Sequence, residues 1–125
     1  MVIQSKRVWM AGQFMPAQLL IEEGRIAAVY EYGKLATDAD YDNKRIVPGF
    51  IDVHTHGAYG FDTNDAEAEG LRGWMKRIPQ EGVTGILPTT VTQMPDVLTG
   101  ALKNVAAVVR EGYEGAEILG VHFEG

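Results

Sequence analysis

From Val47-Pro48-Gly49 onward the chain alternates strand-length apolar runs with helix-length segments, and this alternation restricts the fold more than any other feature. Phe50 to His56 reads as a strand. Ala66 to Gln80 reads as a helix, with Leu71, Trp74, Met75 and Ile78 at helical spacing. Val83 to Thr90 is a second strand. Pro95 to Gly112 is a second helix, with Val97, Leu98, Leu102, Val105 and Val109 as its expected buried stripe and Pro95 in its first turn. Ile118 to Gly125 is a third strand. Strand, helix, strand, helix, strand is the pattern of parallel βαβ units and of the α/β class, because parallel neighbours need a long crossover.

Residues 1–47 have a different character, with short strands and turns. Gln18 to Ile21 and Ile26 to Tyr30 form a predicted hairpin around Glu22-Glu23-Gly24-Arg25, where Gly24 supplies the positive φ of a tight turn. Ile26, Ala28 and Tyr30 alternate with Ala27 and Val29, so both faces of that strand are expected to be covered. Residues 31–44, with their charges, Gly33 and Asn43, read as a surface loop holding at most a short strand. The organisation expected is therefore an N-terminal part over 1–47 and a βα part over 48–125.

Three parallel strands fit a doubly wound sheet or a barrel. A complete eight-stranded (β/α)8 barrel takes about 250 residues, whereas this chain has 125 and stops in a strand-to-loop transition at His122-Phe123-Glu124-Gly125. The chain reads as truncated.

Composition removes several classes of function. A net charge of −6 argues against a nucleic-acid partner, though not against a small anionic substrate. With no cysteine, any metal must be held by imidazole and carboxylate, which suits zinc, iron or manganese. No stretch has the length of a membrane span and the N-terminus has no apolar leader core, so a cytoplasmic protein without membrane partners is expected.

His54-Thr55-His56 closes the first strand of the βα part. Side chains at i and i+2 of a strand share a face, so two imidazoles can converge on one ion at the strand's C-terminal end. A bare His-x-His more often marks solvated or core residues. Here it ends a strand where α/β proteins place their sites, and it runs into the small-residue loop Gly57-Ala58-Tyr59-Gly60. Ile51 and Val53 are expected to pack under the helices.

Glu124 is the second element. Ile118, Gly120, His122 and Glu124 should share one face of the third strand, and Leu119, Val121 and Phe123 the helix-facing one. A carboxylate at that strand end serves as metal ligand, general base or surface cap; beside the histidine pair, the ligand reading is preferred. His54, His56 and Glu124 are thus expected to meet as metal ligands. His122 is assigned a supporting role, orienting Glu124 or sitting as a hydrogen-bonded interior histidine. Thr89 and Thr90 could meet substrate, and Asp62 and Asp65 read as loop or helix N-cap residues.

Pro48-Gly49-Phe50-Ile51-Asp52-Val53-His54-Thr55-His56-Gly57 resembles the opening strand of the amidohydrolase superfamily. Gly60 to Ala66, Gly82-Val83-Thr84-Gly85-Ile86-Leu87-Pro88-Thr89-Thr90 and Leu119 to Gly125 narrow the likeness to the N-acetylglucosamine-6-phosphate deacetylases. The hairpin Leu20 to Ile26 also resembles the superfamily's N-terminal β-sandwich.

This resemblance implies a (β/α)8 barrel with a small β-sandwich built from both chain termini. It implies hydrolysis of an N-acetylated sugar phosphate to glucosamine 6-phosphate and acetate, with one or two divalent ions as cofactor. Glu124 matches the family's metal-ligating glutamate, and His54 and His56 its first histidine pair. The catalytic aspartate, the other ligands and most sugar contacts are expected beyond Gly125, no separate organic cofactor site is implied, and homodimers are the implied assembly. The isolated 125-residue chain is expected to be inactive. Rival readings are another amidohydrolase, acting on a cyclic amide or nucleobase, and a non-catalytic truncated fragment.

Overall fold

A computed structural model describes residues 1–124. It divides into two compact units with the boundary between Pro48 and Gly49. Among the described residues, no helix is long and apolar enough to cross a membrane.

The first unit is a small β-sheet. Strands β1 (Val2–Met10), β2 (Gln13–Glu22) and β3 (Arg25–Tyr30) form an antiparallel meander, and β4 (Ala39–Asp40) and β5 (Arg45–Ile46) add parallel to β1. The turn between β2 and β3 has positive φ at both Glu23 (50°) and Gly24 (73°), the tight hairpin geometry that matches strand twist. Val8, Ala17 and Leu19 form its small core. Beside them, Gln4 and Gln18 are buried and paired across β1 and β2, Gln18 Nε2 donating to Gln4 Oε1 at 2.7 Å. Gln18 also bonds both the N–H and the carbonyl of Leu35, so two buried amides hold down the loop over residues 31–44.

Strand β3 departs from the expected alternation. Leu20 pairs with Ala28 and Ile21 with Ile26, so Ala27 is an extra residue that forms a bulge. The bulge shifts side-chain parity. Ile26 and Val29 both line an apolar groove of about 240 Å³ and remain exposed rather than covered.

In the second unit, β6 (Phe50–Thr55), β9 (Val83–Pro88) and β10 (Glu117–Ile118) form a parallel sheet in the order β10-β9-β6. A minimal hairpin, β7 (Gly57–Ala58) and β8 (Phe61–Asp62), leads into a 3-10 turn, Thr63–Asp65. Helix α1 (Ala68–Arg77) continues as a 3-10 turn, Ile78–Glu81, and α2 (Pro95–Glu111) joins β9 to β10. Leu71, Trp74, Met75 and Ile78 pack with Val105 and Val108 of α2 and with Ile86 and Ile118 of the sheet. Each such apolar side chain contributes about 1.5–3 kcal/mol when taken out of water.

Helix α2 buries Leu98, Ala101, Val105 and Val108, a stripe rotated from the expected one. Leu102 and Val109 are exposed, and Val97 is only half-buried. The small pair Gly100-Ala101 meets the rest of the unit instead, Gly100 lying beside the Ala66 methyl. Small side chains let the helix approach closely, and that contact sets its rotation.

Both strands flanking β9 carry an extra residue opposite the same stretch. On β6, Asp52 pairs with Ile86 and Thr55 with Pro88, three steps against two. On the other side Ile118 pairs with Ile86 and His122 with Thr89, four steps against three. The regular third strand is accordingly short, and its parity is not the expected one. Ile118 belongs to the helix-side core with Val121 packed against that core, while Leu119 approaches Gly85 on the opposite face. Phe123 is exposed instead of meeting the helices. Ile51, expected beneath the helices, pairs with Gly85, and both it and Val53 are exposed.

Candidate metal centre

The β6 bulge aims the histidines. Thr55 pairs with Pro88, which shares the parity of the core residue Ile86, so His54 and His56 face away from the helical core. Asp52 ties this bulge together. One carboxylate oxygen accepts from the His54 N–H at 3.0 Å, and the other accepts from the Thr55 hydroxyl. Sequence reading placed Asp52 only within the motif and gave it no role.

His56 is held at both ends. Its carbonyl accepts from the Thr63 N–H at 2.7 Å and from the Thr63 hydroxyl at 2.7 Å. Its Nδ1 lies 3.3 Å from the Thr89 carbonyl oxygen. A carbonyl only accepts, so Nδ1 carries a proton, and Nε2 holds a lone pair whenever the ring is neutral.

Glu124 meets both rings with one oxygen. Its Oε2 is 3.0 Å from His54 Nε2 and 3.3 Å from His56 Nε2, and the three side chains are each half-exposed. Their candidate ligand atoms all lie within 4.8 Å of one another. The Glu124 N–H donates to the Thr90 hydroxyl at 3.3 Å, which fixes the main chain behind the carboxylate.

These positions suit a divalent cation. With a neutral ring, His56 Nε2 and a carboxylate oxygen are both acceptors facing each other at 3.3 Å, an arrangement that a cation between them relieves. Tetrahedral ligands at zinc's usual bond lengths stand roughly 3.4 Å apart. A ring whose other nitrogen donates to a main-chain carbonyl is also the common state of a metal-ligating histidine.

The expected trio is thus brought together, while other residues take different roles. His122 does not orient Glu124. Its Nδ1 lies 2.8 Å from the Val53 carbonyl, and its ring stands edge-on to that of His54 with centroids 4.5 Å apart. Thr89 and Thr90 are fully buried and cannot meet substrate. They bind strands to one another, Thr89 Oγ1 accepting from the Thr55 N–H at 3.1 Å and donating to the Leu87 carbonyl at 3.0 Å. Asp62 and Asp65 form a reciprocal capping box around the 3-10 turn, in keeping with their reading as caps. Thr63 and Asn64 were not singled out, since nothing in their spacing distinguishes them from other turn residues.

The model of the Amidohydrolase family matches residues 45–125, and the chain belongs to that family. Among individual proteins it is similar to the N-acetylglucosamine-6-phosphate deacetylase of Bacillus subtilis (strain 168), with 43% identity over 83 residues, 64% of this chain and 21% of the relative. The N-acetylgalactosamine-6-phosphate deacetylase of Escherichia coli O157:H7 is 36% identical over 108 residues, 86% of this chain and 28% of the relative. A mutant N-acetyl-D-glucosamine-6-phosphate deacetylase from Mycobacterium smegmatis, solved in complex with N-acetyl-D-glucosamine-6-phosphate, superposes with a TM-score of 0.86 at 27% identity. That match covers 100% of this chain and 32% of the solved one. The chain therefore spans about a fifth to a third of the length of these relatives.

Proposed function

We propose that this chain supplies the first metal ligands of a deacetylase that hydrolyses N-acetylglucosamine 6-phosphate to glucosamine 6-phosphate and acetate. The observation that carries the reading is the shared Glu124 oxygen facing two imidazole nitrogens, with the His56 ring held by its Nδ1 contact to Thr89 so that Nε2 points at the carboxylate. Family membership and the likeness to sugar-phosphate deacetylases supply the reaction class.

In this reading His54 Nε2, His56 Nε2 and Glu124 Oε2 hold a divalent zinc, iron or manganese ion, with room in the family pattern for a second. When bound, such an ion lowers the pKa of water and polarises an amide carbonyl. The chain's own residues provide the frame: Thr89 fixes the His56 tautomer, Thr63 fixes its main chain, and His122 backs the His54 ring.

The same reading assigns residues 1–47 to a small β-sandwich and residues 48–125 to the opening of a (β/α)8 barrel. In keeping with a barrel, the three strands follow chain order across the sheet and their helices cover one face. One half of a doubly wound sheet has the same order and covering, so the preference for the barrel comes from the family match. A cytoplasmic homodimer completes the proposal.

The test is acetate release by the intact, metal-loaded protein from N-acetylglucosamine 6-phosphate, with N-acetylgalactosamine 6-phosphate and dihydroorotate as rival substrates. Release from the glucosamine compound, abolished by chelation and restored by metal, is expected. A protein that binds metal and releases no acetate from it contradicts the proposal. Preference for the galactosamine compound would keep the chemistry and move the substrate to the second relative's class.

A further inference from the structure

Two loops meet beside the candidate metal centre, and one side chain joins them. The Asn64 amide donates from Nδ2 to the Val91 carbonyl at 2.8 Å, and its Oδ1 accepts from the Val91 N–H at 3.1 Å. These paired bonds mimic one rung of a β-ladder. They connect the Thr63–Asp65 turn to the segment that leaves β9.

Each connected segment carries an anchor for a candidate ligand. On one side, Thr63 is buried and makes both bonds to the His56 carbonyl. On the other, Thr89 holds His56 Nδ1, and the Thr90 hydroxyl accepts from the Glu124 N–H. The path Glu124–Thr90–Val91–Asn64–Thr63–His56 is therefore closed by a single amide side chain. The Asp62–Asp65 capping box makes its turn rigid, with the Asn64 N–H donating to Asp62 Oδ1 at 2.8 Å.

We propose that Asn64 is a positioning residue for the metal centre, setting the distance between His56 and Glu124 by stapling these two loops. The inference rests on the metal-binding reading above. Asn64 bonds Val91 and Asp62 rather than a candidate ligand and is itself only half-buried, so its removal leaves the Val91 groups able to bond water. Its effect should appear in ligand geometry more than in folding.

The experiment uses the intact protein as wild type, Asn64→Ala, Thr63→Val, Thr63→Ser and the double variant His54→Ala/His56→Ala. Zinc affinity is measured by chelator competition, cobalt absorption reports ligand geometry, and thermal unfolding of the metal-free protein reports folding. Loss of an outer partner of a metal ligand typically weakens binding by about 10–100-fold. Asn64→Ala is expected to lose roughly tenfold in zinc affinity and to alter the cobalt spectrum with little change in melting temperature. Thr63→Val should move the same way, and Thr63→Ser should behave as wild type. Wild-type affinity and spectrum in Asn64→Ala, or a change in melting temperature alone, overturns the staple while leaving the metal centre intact. Unchanged zinc binding in the double histidine variant overturns the metal reading itself, and the staple with it.

Discussion

The Nδ1 atom of His56 lies 3.3 Å from the main-chain oxygen of Thr89, and this contact leaves the ring's other nitrogen facing the Glu124 carboxylate. The tautomer is thereby set by a backbone group, which substitution of the Thr89 side chain does not remove. His56→Ala is expected to lower divalent-metal affinity in the intact protein by more than about 100-fold, beyond the usual cost of losing an outer partner. Glu124→Gln should also weaken binding while retaining the shape of the side chain. Chelator competition checks both, and wild-type affinity in either variant would remove that residue from the ligand set.

Thr89→Val should cost stability by another route. The buried Thr89 hydroxyl accepts from the Thr55 N–H and donates to the Leu87 carbonyl. An isosteric apolar group leaves both without that partner, at a cost of about 1–3 kcal/mol. Urea unfolding of the intact protein measures the loss, and an unchanged midpoint would mean that the hydroxyl is structurally idle.

Gly57→Ala should damage the centre through the backbone. A Cβ at Gly57 would collide with the Phe61 carbonyl oxygen across the β7–β8 hairpin, and main chain cannot swing aside as a side chain can. Overpacking of this kind costs about 1–3 kcal/mol. Because Gly57 follows His56 directly, metal affinity should fall together with stability. A variant with wild-type melting and affinity would contradict the constraint.

The first unit has its own pH signature. Asp40 is held below the ordinary carboxylate value of 3.8 by the Asp42 N–H first, then by the Gln4 amide and the Tyr32 hydroxyl. A lowered folded value means that the stabilisation is fully present above 3.8 and is lost as pH falls through the lower, folded value. The stability difference between wild type and Asp40→Asn should therefore be constant near neutrality and shrink in acid. Thermal unfolding across that range tests this, and a difference that grows on acidification would contradict it.

The elements were legible because burial and periodicity agree over most of the second unit. Leu71, Trp74, Met75 and Ile78 face the core as their spacing predicts, and the Glu23-Gly24 turn follows from its residue types. Strand parity was less legible, because a bulge leaves no compositional mark. The extra residue in β6 and the one before His122 each reverse the faces assigned to nearby apolar residues. His54, His56 and Glu124 still converge, because His56 and Glu124 lie beyond the irregularities and His54 sits within the β6 bulge that Asp52 holds. Buried polar supports such as Gln18, Thr63 and Thr89 look like ordinary surface residues in one dimension. Their importance comes from partners far along the chain.

Anomalous scattering at the zinc edge from crystals of the zinc-loaded intact protein tests the metal centre most directly. The account predicts a peak bonded to His54 Nε2, His56 Nε2 and a Glu124 oxygen, at about 2.0–2.2 Å from each. Zinc bound elsewhere, with both imidazoles still set directly against the Glu124 carboxylate, would contradict it.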